Sequence, residues 1–430
     1  MTPTWRNLDY DTMSVNSNDL EHFMRKSILL LSLIVLAWLV SCNRPTATPL
    51  PTQTLSPSAT QAVPTATLEP TSAKTMSSPT ATPGAEMSAT PVSLGPQEYP
   101  SDVNPLTGLR VADTTLLDRR PIAVKVNLIP RYATRPPWGL SQADIVYDYY
   151  HNDGYTRLYA IFYGEDASLV GPVRSGRLLD VDLTRMYQSI FAYGSADAAI
   201  NDRLLNSELS SRLVLEGERS SCPPTLQKPL CRFDPSGFDL LLGGTQALSQ
   251  HITSQNVANG RQDLRGMYFH QEAPPSGDAV SQVSVRYSGD DYLRWDYDPA
   301  TGRYLRFQDN VYDQGSGEAY APLIDRNNDQ QIAAENIVII LARHEYYRQP
   351  PGEIIEILLS GTGSGYALRD GKIYPVTWER PTLYSVLTLR MPDGTPYPFK
   401  PGKTWFQVMG VNSVNSQPAE GVWRFEFRIP

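Results

Sequence analysis

Residues 43 to about 100 consist mainly of Pro, Thr, Ser and Ala, arranged in repeated Pro-Thr and Ala-Thr-Pro steps, with almost no large apolar side chains. Such a segment cannot bury enough apolar surface to offset the entropy lost on ordering. It therefore predicts an extended tether, in which the prolines favour polyproline II. The folded core must come from about residues 102–430, a length that suits two domains.

A leader segment precedes this tether. Arg25 and Lys26 stand before an apolar run from Ile28 to Val40, which ends in Leu39-Val40-Ser41-Cys42. In a helix that rises 1.5 Å per residue, this run is too short for a hydrocarbon layer of ~30 Å. The pattern is typical of a signal peptide, and its last four residues resemble the lipobox of bacterial lipoproteins.

We therefore expect residues 1–41 to be a signal peptide, followed by the tether at residues 42–101. Met24 is a better start than Met1, because residues 1–23 are polar and carry four acidic groups ahead of the basic pair. The acylated Cys42 would hold the chain in the lipid bilayer of the cell membrane, on its extracytoplasmic face. The alternative is a membrane anchor helix followed by a chance cysteine.

The two other cysteines, Cys222 and Cys231, lie nine positions apart in a Pro-rich loop. Outside the cytoplasm, such a pair predicts a disulfide. The competing interpretation, a metal site, lacks two further ligands nearby in sequence. We predict no metal and no cofactor.

The formal net charge is −8, and the chain has no long Lys/Arg runs. An acidic chain of this kind is a poor candidate for binding nucleic acid, so that class of partner is excluded.

The pattern of strands with interspersed helices in the folded part predicts an α+β (or α/β) protein. Residues 102–275 are expected to form a mixed-sheet domain with flanking helices, and residues 280–430 a mostly antiparallel β domain. In the first domain, Asp153-Gly154 predicts a tight hairpin turn between two β-rich runs. Apolar residues recur at helical spacing over about 178–187 and 196–205. The main strands are predicted at Pro121–Asn127, Asp144–Tyr150, Thr156–Tyr163 and Ile190–Tyr193, with about nine more between Gln282 and the C-terminus.

Several motifs of the folded part occur together in a specific order. They are Asn104–Leu109, Arg120–Asn127, Arg135-Pro136, Gly139–Tyr147, Thr156-Arg157 and Gly171–Arg177. In these motifs the chain resembles the YerB-like bacterial lipoproteins, a family with an N-terminal and a C-terminal domain of unknown function. The resemblance implies no established reaction. The family pattern carries Glu-Gly-Gly at the position of Asn152-Asp153-Gly154, and a histidine near Ala192 or Tyr193, so chemistry that needed those groups would be impaired here.

The segment Gly171–Arg177 places two arginines beside the expected start of a helix, with Ser175 as the candidate N-cap. Cations at a helix N-terminus oppose the helix dipole and need compensation. An anionic or carboxylate ligand would supply it, and so would an internal network of ion pairs with nearby aspartates. The candidate ligand-binding residues are Lys125, Arg135, Asp153, Arg157, Arg174, Ser175 and Arg177.

Nucleophilic catalysis has little support, because the chain has only five histidines and neither a His-Glu-x-x-His nor a Gly-x-Ser-x-Gly motif. We therefore assign no catalytic residues and expect a binding or assembly module at the cell envelope. Its partner would be a cell-wall component or an envelope protein. The alternative is a hydrolase or transferase that acts on cell-wall polymer, with Asp153 and Asp180 as candidate carboxylates.

Substitution of Cys42 by alanine tests the lipid anchor. We expect the Cys42→Ala chain to lose incorporation of radiolabelled fatty acid and to leave the membrane fraction, because the acylated thiol is absent. The Cys222→Ala chain is the matched control and should stay labelled. Undiminished labelling of Cys42→Ala would rule out the lipobox interpretation.

Overall fold

A twelve-stranded mixed sheet forms the centre of the structure. Two of its strands each pair with one other strand. Ile354–Leu358 pairs antiparallel with Asn336–Arg348, and Thr388–Arg390 pairs antiparallel with Lys372–Arg380. The other ten run across the sheet in the order Asp278–Ala279, Lys372–Arg380, Gly361–Arg369, Asn336–Arg348, Thr404–Gly410, Ile145–Asn152, Tyr155–Phe162, Ile122–Val126, Ile190–Ala192 and Leu213–Val214.

The computed structural model describes residues 93–235, 240–310, 312 and 318–429. The leader, Cys42 and the tether therefore lie outside the described residues. The described chain falls within one compact unit, residues 85–430. Among its helices, none combines the length and the apolar character that crossing a membrane requires.

The strand Thr404–Gly410 joins the two halves of the chain. It pairs in parallel with Asn336–Arg348 on one side and with Ile145–Asn152 on the other. All seven of its residues are buried, as expected for a central strand covered on both faces. The central sheet thus runs across the boundary predicted between residues 275 and 280, and the two-domain division stays a prediction.

A seven-stranded sheet packs beside the central one, and three smaller sheets complete the β structure. The seven-stranded sheet contains Tyr320–Pro322, Arg303–Asp309, Tyr292–Asp298, Gln282–Arg286, Val422–Glu426, Val414–Ala419 and Ala333–Ala334. The smaller sheets contain Ser93–Leu94, Tyr268–His270 and Pro398–Phe399; Ile324–Asp325 and Gln330–Gln331; and Leu230–Arg232 and Leu241–Gly243.

The described helices are short and few compared with the strands, so the protein is mostly sheet. Two of them, Leu178–Met186 and Ala198–Leu205, coincide with the helical spacing in the sequence. The other α-helices are Arg131–Thr134 and Thr245–Ser254, and the 3-10 helices are Thr114–Asp118, Leu140–Gln142 and Ser210–Arg212.

The predicted hairpin is confirmed. Ile145–Asn152 and Tyr155–Phe162 pair antiparallel, and the turn residues Asp153 and Gly154 both have positive φ, 53° and 85°. A two-residue turn with positive φ at both positions matches the twist of the flanking strands, which explains the preference for Asp-Gly.

Tyrosines on one face of this hairpin hold the helix Leu178–Met186. Tyr147 and Tyr159 are cross-strand neighbours. The Tyr147 hydroxyl lies 2.7 Å from that of Tyr187, and the Tyr159 hydroxyl lies 2.9 Å from that of Thr184. Each tyrosine therefore combines a buried ring with a satisfied hydroxyl, which explains why tyrosine suits a sheet–helix interface.

The opposite face of the hairpin carries a buried ion pair. Asp148 Oδ2 lies 2.9 Å from Arg306 Nη2, and neither side chain is exposed. Arg306 also donates to Gln308 Oε1 at 2.6 Å. The pair thus joins the central sheet to the strand Arg303–Asp309 of the seven-stranded sheet.

Several further expectations have clear outcomes. Cys222 and Cys231 form the predicted disulfide. Ser175 is not the N-cap, because the helix begins at Leu178 and Arg177 occupies the cap position.

Removal of one partner of the Asp148–Arg306 pair tests its role. We expect Asp148→Ala to lower the free energy of unfolding by about 3–5 kcal/mol, since it leaves a buried guanidinium uncompensated. Urea denaturation measures the change. Asp263→Ala, which breaks the exposed pair with Arg265, is the control and should change it by less than ~1 kcal/mol. Equal effects of the two substitutions would contradict the proposed role.

Candidate functional site: a buried cationic cluster

Strand register brings two cations to the helix-covered face of the central sheet. Arg157 pairs with Tyr149 in the hairpin, and Lys125 pairs with Tyr159 on the next strand. Because Arg157 and Tyr159 are two residues apart, their side chains point to the same side. Lys125, Tyr149 and Arg157 therefore meet beneath the start of the helix Leu178–Met186.

A single carboxylate, Asp180, lies at the centre of this arrangement. Lys125 Nζ lies 3.0 Å from Asp180 Oδ1, and both side chains are fully buried. The Tyr149 hydroxyl donates to the same oxygen. The other oxygen, Oδ2, accepts from the backbone N–H of Arg177 at 2.6 Å, so Asp180 also caps the helix.

Asp180 also acts through space on two arginines, Arg157 and Arg177, whose side chains donate hydrogen bonds only to neutral groups among the described residues. Arg177 Nη1 donates to the Gly176 carbonyl at 2.9 Å, and its Nη2 lies 3.3 Å from His151 Nδ1. Arg157 Nη1 donates to the Ser175 carbonyl at 2.8 Å. Arg157 Nε is buried and has no hydrogen-bond partner among the described residues.

The crowding of cations shifts their titration. Burial, with a further contribution from Arg157 and Arg177, lowers the pKa of Lys125 to about 7, although Asp180 opposes the shift. Burial and repulsion from Arg177 and Arg174 hold the pKa of Arg157 well below its usual value. Positive charge is therefore in excess of negative charge at this point of the interior.

Burial and the same positive charges lower the pKa of His151. Burial, followed by Arg157 and Arg177, holds the pKa of His151 well below 6.5, so the ring is neutral. Its Nδ1 can then accept from Arg177, which requires the proton to sit on Nε2. His151 lies buried in the strand Ile145–Asn152.

A pocket of about 340 Å³ opens beside the cluster. The hydroxyls of Ser175 and Ser195, 3.1 Å apart, and the Arg177 side chain lie on one side of it. The pocket is lined by Asn152, Ser175, Arg177, Ser195, Ala196, Asp197, Ile200, Arg348, Gly352, Glu353 and Ile354.

The acidic groups at this pocket already have donors. Asp197 Oδ2 lies 2.6 Å from Arg348 Nη2. Glu353 Oε1 accepts from the Tyr150 hydroxyl at 2.5 Å and from the Asp153 backbone N–H at 2.7 Å. Arg177 therefore lines the pocket, and no carboxylate in the described part of the chain lies at hydrogen-bond distance from its side chain.

The structure brings together some of the predicted site residues and separates others. Lys125, Arg157, Arg174 and Arg177 interact through space, and Ser175 lines the pocket. Arg135 lies elsewhere, with its Nη2 2.9 Å from Asp309 Oδ1. Asp153 is exposed at the hairpin turn, where its carboxylate accepts from Asn152 Nδ2 at 2.5 Å.

Sequence reasoning did not assign His151, Ser195 or Arg348 to the site. His151 could have been found from strand alternation, since it follows Tyr147 and Tyr149 on the same face. Ser195 and Arg348 reach the pocket only through tertiary packing, and no local pattern marks them.

Comparison with known proteins agrees with this architecture. Two family models match the chain: "Protein of unknown function (DUF3048) N-terminal domain" over residues 106–221 and the corresponding C-terminal domain over residues 283–406. The chain thus falls in the class of proteins that carry these two domains, with one match in each half of the folded chain.

YerB of Bacillus subtilis (strain 168), whose name marks it as a candidate lipoprotein, is 26% identical over 325 residues, 74% of this chain and 89% of YerB. The crystal structure of B. subtilis YerB shares the fold, with a TM-score of 0.57 and 23% identity over 71% of this chain and 96% of that one. The chain belongs to the YerB-like family.

The lowered pKa of Lys125 predicts a pH dependence of stability. The pKa of Lys125 is 10.5 in the unfolded chain and about 7 in the folded protein. Between pH 7 and pH 10.5 the unfolded state therefore binds more protons than the folded state. The free energy of unfolding should therefore rise with pH across this range, by an amount on the order of a few kcal/mol. Urea denaturation at pH 7 and pH 9.5 measures it.

Lys125→Met should lose this rise, whereas Lys228→Met, at a surface pair with Glu218, should keep it. Parallel pH profiles for wild type and Lys125→Met would show that Lys125 does not titrate in this range.

Proposed function

We propose that the protein is a lipid-anchored binding module that takes a carboxylate group of a cell-envelope component into the pocket beside Arg177. The observation that carries this proposal is an excess of positive charge in a largely enclosed place. Lys125 is fully buried, and the half-buried Arg157 and Arg177 lie around the carboxylate of Asp180. Among the described residues, the two arginine side chains donate only to neutral acceptors.

The anchoring rests on the leader segment and on a relative. The signal-like run before Cys42 has the order of a lipoprotein leader, and the similar YerB carries a lipoprotein name. Placement on the extracytoplasmic face follows from this interpretation and agrees with the Cys222–Cys231 disulfide. The Pro-rich tether would then hold the folded part away from the membrane.

A carboxylate fits the site for a physical reason. A guanidinium binds a carboxylate through two parallel N–H groups, and such charge-assisted bonds gain strength where water is partly excluded. An incoming anion would also offset the repulsion among Arg157, Arg174 and Arg177. The Ser175 and Ser195 hydroxyls offer neutral donors beside it.

The volume of about 340 Å³ limits the ligand to a small group or to the end of a larger one. Cell-wall peptides and acidic sugars carry exposed carboxylates, which makes them the favoured ligand class at the envelope. Proteins of the envelope are the other source of such groups.

The alternative, a hydrolase or transferase on cell-wall polymer, gains no support from its candidate carboxylates. Asp180 is fully buried and holds Lys125, whereas Asp153 is exposed at a turn. A glycosidase needs both carboxylates to face the substrate.

A thermal-shift panel of muropeptides, neutral glycans and phosphorylated small molecules tests the proposal. We expect muropeptides with free carboxylates to raise the melting temperature of the wild type, and their amidated forms to have no effect. Arg177→Gln should reduce the affinity roughly 10- to 100-fold, in line with the ~1.5–3 kcal/mol of a charged hydrogen bond.

Arg343→Gln is the matched control. Arg343 is mostly exposed and forms a surface pair with Glu345, so its loss should leave muropeptide binding unchanged. If no carboxylate ligand shifts the wild type, or if Arg177→Gln binds as well as Arg343→Gln, the proposed site is wrong.

A further inference from the structure

A second cationic pocket lies at the other end of the strand Ile122–Val126. Arg120 precedes this strand, whereas Lys125 of the first cluster lies near its end, five residues or about 16 Å away at the rise of a β-strand. The second pocket has a volume of about 430 Å³ and is lined by Arg120, Gln188, Glu208, Ser211, Arg212, Asn256, Val257, Ala258 and Tyr384.

Arg212 is the most unusual residue of this pocket. Only 7% of its surface is exposed, yet its guanidinium has no hydrogen bond or ion pair with any of the described residues. Burial lowers its pKa. Its nitrogens are not fully enclosed, and the pocket that Arg212 lines is the direction from which an anionic partner could come. A largely buried charge without such a partner is costly.

Arg120 has hydrogen bonds, but none of the carboxylates that the structure describes lies at bonding distance from it. Its Nε donates to the Ala258 carbonyl at 2.8 Å, and its Nη1 donates to the Gln188 carbonyl at 2.9 Å and to Gln262 Oε1 at 2.7 Å. These neutral acceptors fix the orientation of the guanidinium. They leave its charge uncompensated and its Nη2 available.

The two arginines are close enough to repel each other. Burial, with repulsion from Arg212 as the second cause, lowers the pKa of Arg120 to about 10. One acidic residue lines the pocket, Glu208, and its two carboxylate oxygens are bound by Arg185 at 2.7 and 3.2 Å. Glu208 and Arg185 balance each other, so Arg120 and Arg212 leave a net charge of +2.

We propose that this pocket is a phosphate site, in which the guanidinium groups of Arg120 and Arg212 hold a doubly charged tetrahedral oxyanion. A phosphate dianion matches the net charge, and its oxygens can accept from both side chains at once, which suits arginine in particular. The site is separate from the carboxylate pocket of the proposed function and does not depend on it.

The surroundings favour a phosphate that is part of a larger molecule. Gln188 and Tyr384 line both this pocket and a neighbouring one of about 480 Å³. The half-exposed Tyr384 ring provides a flat wall between them. A phosphate monoester could place its anion against Arg212 and the rest of its body along Tyr384.

Equilibrium dialysis of the full-length chain in detergent, with radiolabelled inorganic phosphate and radiolabelled glycerol phosphate, tests the site. We expect wild type to bind at least one probe, and Arg212→Gln to bind roughly 10- to 100-fold more weakly, the range given by a lost charged hydrogen bond. Tighter binding of glycerol phosphate would identify an ester as the ligand, and tighter binding of inorganic phosphate the free ion. Either result supports the site.

Arg343→Gln is the matched control, because Arg343 lines neither of these two pockets and is paired with Glu345 at the surface. It should bind the probes as wild type does. Arg177→Gln should also bind them normally, which separates this site from the carboxylate pocket.

The melting temperature without phosphate distinguishes binding from a structural role. If Arg212 serves a ligand, Arg212→Gln should melt at or above the wild-type temperature, because it removes an uncompensated buried charge. A melting temperature several degrees lower, unchanged phosphate binding in Arg212→Gln, or no binding by wild type at millimolar phosphate would each overturn the proposal.

Discussion

The buried ion pair of Lys125 and Asp180 holds the start of the helix Leu178–Met186 against the central sheet. It joins a central strand to the first turn of the helix Leu178–Met186, with both side chains fully buried. The same carboxylate caps the helix through the Arg177 N–H, so its oxygens are occupied and it acts on the arginine side chains around it only through space. Arg157 and Arg177 are therefore held near each other by the fold, and their charges repel each other.

The second structural constraint is the strand Thr404–Gly410. Because it lies between a strand of each half, the cluster and its pocket are built from distant parts of the chain. Arg177 belongs to the N-terminal half, whereas Arg348 and Glu353 of the pocket wall belong to the C-terminal half. This explains how two segments, each matched by its own family model, can contribute to one pocket.

Much of the fold could be predicted from sequence because its signals are local. Alternation and β-branched runs marked the main strands, and Asp153-Gly154 marked the hairpin turn. The helix start was placed too early, because Ser175 is a better N-cap by residue type than Arg177. Here the acidic residue at the third helical position, Asp180, does the capping instead.

The candidate site was harder to predict, because strand register and tertiary pairing decide it. Arg135 and Arg157 looked equivalent in sequence, yet Arg135 is held by Asp309 and Arg157 joins the cluster. Nothing in the sequence marks Arg212 as a site residue, because it simply precedes the short apolar run Leu213–Leu215. Only the three-dimensional structure reveals that a buried guanidinium there lacks a partner among the described residues.

Anomalous scattering tests most directly whether the pocket beside Arg177 binds a carboxylate. Crystals of the protein are soaked in 4-bromobenzoate, a carboxylate whose bromine can be located by this method. If Arg177 binds carboxylates, a bromine peak will lie in the pocket lined by Ser175 and Arg177, with the carboxylate directed toward Arg177, and the peak will be lost in Arg177→Gln. Bromine peaks found only elsewhere on the surface, with this pocket empty, would contradict it.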